Sequence, residues 1–199
     1  MMVSVVSGGW SVKGDAWDLS EIPGFIIAVN DAALYLPRVN AVVSMDRLWT
    51  ENRWEWMCEA RYESHIRVAA LKNVLGRDLS WLHPFQCDYT RFEFSTEQHV
   101  LNGTNSGLCA FNAAFKLMPD QLFLYGFDMR LGPNGEQHWY PDYSWKSGHS
   151  TKPGKLKEWA SEFHVAARQC KEAGIKVWNM STRSLITDFE LGTERTLIQ

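Results

Sequence analysis

The 199-residue sequence predicts an α/β domain with a mainly parallel sheet and helices on both faces. Two observations carry this. Short apolar, often β-branched runs alternate with helix-periodic segments through most of the chain. Several of those runs also end on small polar residues, as strands do at the ligand-binding edge of an open parallel sheet. With no repeat and no low-complexity tract, the chain reads as one domain over 1–199, large enough for a well-buried core.

Val3–Val6 is the first strand and runs straight into Ser7-Gly8-Gly9-Trp10-Ser11. A strand entering a Gly-Gly turn lets backbone approach a ligand closely, although an ordinary turn would use the same residues. Phe25–Val29 ends on Asn30, and Ala41–Ser44 ends near Asp46. Leu48 to about Tyr62 is helical in pattern, with Trp49, Trp56 and Ala60 near one face, and Ile66–Ala70 follows as a fourth strand. From Leu71 to Val100 the pattern thins to a strand at Tyr89–Phe94, with loop signals at Gly76 and His83-Pro84.

The central stretch is Thr104 to Met129. Thr104, Asn105 and Ser106 precede an apolar run in which Leu108, Phe111, Phe115 and Met118 stripe one helix face. Pro119-Asp120 ends that helix, and Gln121–Tyr125 is a strand closing on Gly126-Phe127-Asp128. The Ser106-Gly107 start offers unpaired N–H groups, a hydroxyl and the positive end of the helix dipole, which suits a phosphate; plain helix capping needs the same residues. Arg130 to Pro153 is then too long for a simple connection and reads as a lid or acceptor loop. Lys155–Ala173 is an amphipathic helix with Leu156, Trp159, Phe163, Ala166 and Cys170 on one face and Gly174 as its stop. Ile175–Trp178 is the closing strand, followed by small polar residues over Asn179–Ser184.

Composition narrows the function. A formal charge of −3 and a pI near 6.1 leave no basic footprint for nucleic acid. Cys58, Cys87, Cys109 and Cys170 lie far apart, as reduced cysteines rather than a disulfide frame or zinc site. No basic leader and no long apolar run are visible, so the expectation is a soluble, cytoplasmic protein without a membrane span. The ten tryptophans are many for this length and offer flat, partly apolar platforms for sugars and bases as well as core packing.

The candidate chemistry sits in the long loop. His149, in Ser147-Gly148-His149-Ser150, is placed as a general base, and His138 has less around it to distinguish it. Tyr140 and Tyr143 offer phenolic donors to a departing phosphate, or pack the loop. No HExxH, P-loop or GxSxG is present; Asp46 and Asp128 end strands and could share Mg²⁺, cap helices or hold a ribose hydroxyl.

Taken in order, these motifs resemble the bacterial family 42 sialyltransferases and the related DUF115 proteins. Ser7-Gly8-Gly9-Trp10-Ser11-Val12 is similar to their GNGPSL turn, and Ala28-Val29-Asn30 to their strand ending in a nucleotide-contacting Asn. Asn105-Ser106-Gly107 is similar to their Thr-Ser-Gly, Tyr125-Gly126-Phe127-Asp128 to SGIDF, Ser147–Ser150 to IGHS, and Asn179–Ile186 to CPNSLL. The resemblance implies a Rossmann-like glycosyltransferase that takes a nucleotide-activated sugar, CMP-sugar type, with no metal and no cofactor. Gly8, Gly9, Ser11, Asn30, Asn105, Ser106, Gly107 and Asp128 would hold the nucleotide. His149 would be the base, and Tyr140 and Arg130 would steady the leaving phosphate.

Gly8 stands for the family's Asn, Trp10 for its Pro, and Arg130 for a Tyr, which leaves donor sugar and nucleotide open. The acceptor is not legible, and the loop aromatics could equally meet another subunit in a homo-oligomer. Two other functions fit the same scaffold: a Mg²⁺-dependent pterin diphosphokinase-like enzyme, and a non-catalytic nucleotide-binding protein.

Overall fold

Residues 2–6 of the apolar N-terminal run form β1 (Met2–Val6), and the rest of the sheet is laid out on either side of it. The computed structural model describes residues 1–63, 67–71, 83–88, 90–143, 151–193 and 196, with backbone alone for 60–63, 67–71 and 83–87. The further strands are β2 (Phe25–Val29), β3 (Ala41–Ser44), β4 (Arg67–Leu71), β5 (His83–Asp88), β6 (Val100–Asn102), β7 (Gln121–Tyr125), β8 (Lys176–Asn179) and β9 (Glu190–Leu191). Among the described residues they make one nine-stranded sheet in the order β6-β5-β4-β3-β2-β1-β7-β8-β9, and every pairing is parallel. The chain steps outward from β1 to β6 and then returns to the other side of β1 as β7. That reversal opens a crevice at the carboxyl ends of β1 and β7, the position where open parallel sheets bind ligands.

Side-chain alternation along the strands builds two cores. Val3, Val5, Ile27, Val29, Val43, Leu122, Leu124 and Val177 face α5 (Ser106–Lys116) and α6 (Pro153–Glu172), where Phe111, Phe163 and Ala166 are fully buried. Val6, Ile26, Ala28, Val42, Phe123 and Tyr125 face the opposite way. They pack under four shorter helices, α1 (Ser11–Gly14), α2 (Ala32–Tyr35), α3 (Arg47–Asn52) and α4 (Trp54–Glu63), together with Tyr140 and Tyr143 of the long loop. The α/β class, the parallel sheet and the helices on both faces are as the sequence predicts. No helix among the described residues is long and apolar enough to cross a membrane.

Three local expectations are corrected, and a fourth falls in part outside the described residues. The helix expected over 48–62 is broken at Arg53 into α3 and α4. Arg53 leaves helical geometry, and its guanidinium makes a bidentate pair with buried Asp31 through Nε at 2.8 Å and Nη2 at 2.6 Å. The strand expected at Tyr89–Phe94 lies earlier, at His83–Asp88, and begins on the His83-Pro84 pair that reads as a loop. Asp88 ends it by accepting from the N–H and hydroxyl of Thr90, while Tyr89 lies outside the described residues and Phe94 packs in the core against Phe111. Met118 is off the α5 stripe: the helix stops at Lys116, and Met118 is exposed with φ +46°. Ile66, expected to open the fourth strand, lies outside the described residues, and β4 runs Arg67–Leu71.

Candidate functional site at the switch point

A cavity of about 310 Å³ opens at the crevice between β1 and β7. The turn after β1 supplies Ser7, Gly8 and Gly9; β2 and β3 deliver Asn30 and Asp46; Thr104, Asn105, Ser106 and Gly107 bring the start of α5. Arg130, Gln137, His138, Tyr140 and Tyr143 come from the long loop, and Leu156 and Trp159 from α6.

Glycine is required where the turn passes close to its neighbours. Ser7 and Gly9 continue the β1–β7 pairing beyond the strands, their N–H groups donating to the carbonyls of Tyr125 and Gly126 at 2.8 and 2.9 Å. A Cβ on Gly9 would collide with the Gly126 carbonyl oxygen, and one on Gly8 would lie 2.6 Å from His138 Nδ1 and 2.8 Å from the Tyr140 oxygen. The loop is thereby seated on the turn. Trp139 fixes it further: its N–H donates to the Gly8 carbonyl and its indole to the Ser7 carbonyl, each at 3.0 Å. His138, Tyr140 and Tyr35 stack in succession, with ring centroids 5.0 and 5.4 Å apart. Burial holds the Tyr140 phenol far above its ordinary pKa and pushes Tyr143 up to about 12, so both stay neutral donors at working pH.

The start of α5 is capped by Asn105, whose Oδ1 accepts from Leu108 N–H at 3.0 Å. That bond orients the amide, and its Nδ2 is buried without a hydrogen-bond partner. Ser106 Oγ accepts from Met45 N–H at 3.2 Å, which leaves the hydroxyl hydrogen to donate elsewhere. Across the cavity Asn30 holds a left-handed backbone, φ +52°, and its Oδ1 is likewise buried and unpartnered. Trp159 Nε1 is a third such atom. Arg130 is exposed, and Asp46 is engaged as the α3 cap, accepting from Leu48 and Trp49 N–H.

The structure therefore brings Gly8, Gly9, Asn30, Asn105, Ser106, Gly107, Tyr140 and Arg130 together on one cavity. Ser11 and Asp128 are a correction. Both are buried beneath the first turn, where Asp128 Oδ2 accepts from Ser11 N–H at 2.8 Å and Oδ1 accepts from the Ser11 hydroxyl. Neither lines the cavity; they hold the turn against β7, and Ser181 completes the cluster, 2.9 Å from Ser11 Oγ and accepting from Phe127 N–H. Asp46 lines the cavity and Asp128 does not, so the two strand-end carboxylates do not share it. His149 lies outside the described residues, whereas His138, the weaker candidate in sequence, stands on the cavity wall. Thr151, two positions after His149 in sequence, is fixed: its N–H donates to Gln137 Oε1 and Gln137 Nε2 donates to its Oγ1, both at 3.0 Å. Sequence reading missed Gln137, Thr151, Leu156 and Trp159. The last two have the periodicity of core residues, and only their place at the first turns of α6 distinguishes them.

No family model matches the chain, and no curated protein matches it significantly. Solved structures do match, and two of them align over 98% of this chain and 87% of theirs, at 15% identity. One is the sialyltransferase CST-II in complex with a trisaccharide acceptor and CMP, with a TM-score of 0.51; the other is a single-residue variant of CST-II in complex with CMP, at 0.50. The likeness establishes a shared fold across nearly the whole chain.

Proposed function

We propose that this chain is a glycosyltransferase-like enzyme that binds a nucleotide-activated sugar, CMP-sugar type, and transfers the sugar with inversion to an acceptor hydroxyl. The observation that carries this reading is the cavity itself. It lies at the sheet's switch point and joins a helix N-terminus to buried, unsatisfied polar atoms on Asn30 and Asn105. A buried polar group left unpaired costs about 1–3 kcal/mol, so such atoms are expected to be satisfied in the working state by a bound ligand. The CMP complexes of proteins with this fold make a nucleotide the natural class.

In this reaction an acceptor oxygen attacks the anomeric carbon as the bond from that carbon to the phosphate oxygen breaks. Charge builds on the departing phosphate, where the N–H groups of α5, the Ser106 hydroxyl and the Arg130 guanidinium are arranged to take it up. Tyr140 adds a neutral phenolic donor. His149 takes the acceptor proton; its sequence neighbour Thr151 lines the same cavity. Gly8, Gly9 and Gly107 give backbone access to the nucleotide.

His149→Ala should abolish turnover and leave CMP affinity within about twofold of wild type, because a base acts in the transition state and not in nucleotide binding. Loss of both together would remove His149 from this role. A thermal-shift panel of CMP, UDP, GDP and their sugar conjugates identifies the donor, since a ligand that binds only the native state raises the melting temperature. EDTA-sensitive turnover would favour the Mg²⁺-dependent diphosphokinase-like alternative, and tight nucleotide binding without transfer in any acceptor panel would favour the non-catalytic one.

A further inference from the structure

The indole N–H of Trp159 is withheld from solvent and has no acceptor, although its residue lines the cavity. Its position is set by two anchors. One turn further along α6, Glu162 is buried and accepts from the Thr104 hydroxyl beside the start of α5, and Phe163 is fixed in the core against Phe111 and Phe127. On the outer side, the Lys155 ammonium lies 5.7 Å from the Trp159 ring centroid while pairing with Glu158 at 2.6 Å. Glu162 and Phe163 thus fix this stretch of α6 beside the cavity, and the Lys155 cation lies over the Trp159 ring.

The sheet order gives this donor a direction. Asn30 and Asp46 end β2 and β3 on one side of β1, whereas α6 packs on β8, on the other side, beyond β7. The start of α5, the proposed anion-binding point, lies between: Ser106 Oγ accepts from Met45 N–H at the end of β3, and the Thr104 hydroxyl donates to Glu162 of α6. A nucleotide with its phosphate at α5 and its nucleoside toward Asn30 would project any group attached to that phosphate toward Leu156 and Trp159.

We propose that Trp159 reads the group being transferred: its Nε1–H donates to an oxygen of the donor's sugar, and Leu156 supplies the adjoining apolar wall. The inference rests on the nucleotide-sugar reading above and assigns that site a residue that separates a nucleotide-sugar from its bare nucleotide.

Calorimetric titration of wild type and Trp159→Phe with CMP, UDP, CMP-sialic acid and UDP-N-acetylglucosamine tests it. Phenylalanine keeps an aromatic ring and deletes the donor. The expected result is nucleotide affinity unchanged within about twofold and a five- to tenfold loss for the preferred conjugate, the scale of one neutral hydrogen bond. Trp159→His, which restores an N–H, should recover part of the preference. In wild-type protein the Trp159 indole ¹⁵N–¹H resonance, identified as the peak missing from Trp159→Phe, should shift with the conjugate and stay in place with the nucleotide alone. Equal losses for nucleotide and conjugate, no loss for either, or an indole peak indifferent to the conjugate would overturn the assignment while leaving the nucleotide site standing. Wild-type protein that binds none of the four overturns the nucleotide-sugar reading first and this inference with it.

Discussion

Two sets of buried polar groups lie near the carboxyl edge of this sheet, and they differ in how fully they are hydrogen-bonded. Beneath the first turn, Ser11, Asp128 and Ser181 are buried at 0%, 3% and 1% exposure, and their polar atoms are bonded to one another or to backbone. A few residues away, Asn30, Asn105 and Trp159 each keep a buried polar atom with no partner. What separates the two sets in the structure is completeness of hydrogen bonding. The first set holds the turn, and on the reading proposed above the second is completed by the bound nucleotide-sugar.

The largest expected effect comes from breaking the first set. Asp128→Ala leaves the buried Ser11 N–H without its acceptor, while the Ser11 hydroxyl keeps Ser181 Oγ at 2.9 Å, and should cost about 2 kcal/mol of stability, read as a lower denaturation midpoint. Nucleotide affinity of the fraction still folded should be unchanged, since Asp128 does not line the cavity; a selective loss of affinity would move Asp128 into the other set. Next comes Asn105→Asp. The new carboxylate still caps α5 through Leu108 N–H, so the melting temperature should hold or rise slightly. It replaces the unpartnered N–H₂ with an anion, and CMP binding should weaken at least tenfold. Unchanged CMP affinity would take Asn105 out of the ligand site.

The smallest effect is a pH slope. Burial raises the Asp128 carboxyl above its ordinary value, against the lowering bonds from Ser11 and Ser181. Because the native state then holds that proton more tightly than the unfolded chain, this stability is fully present below the unfolded pKa. It is lost as pH rises through the folded one. Urea midpoints of wild type should therefore fall relative to Asp128→Asn on going upward from about pH 4. Parallel profiles for the two proteins would assign the pH dependence elsewhere.

The sequence carried the framework because β1, β2, β3, β7 and α6 announce themselves by local means: β-branched runs, helical periodicity and a Gly174 stop at φ +72°. It did not carry features decided by distant partners. The break at Arg53 follows from a carboxylate 22 residues earlier in the chain. Pro84 disguises β5 because proline usually marks loops, yet here it pairs in register with Ala70. The same limit explains Ser11 and Asp128. Their spacing after strands is identical in kind to that of Asn30, and only the packing of β1 on β7 turns them toward each other rather than toward the cavity.

That same packing has a consequence for how the chain acquires its shape during synthesis. β1 receives its first neighbour when Phe25–Val29 has emerged, but its second only with Gln121–Tyr125. For much of translation this strand is an open edge whose side chains, Ser4 apart, are apolar, and long-range parallel pairing of this kind is slow. The nascent polypeptide is thus expected to depend on a ribosome-associated holdase over that interval, and the crevice comes into being only as the later half arrives.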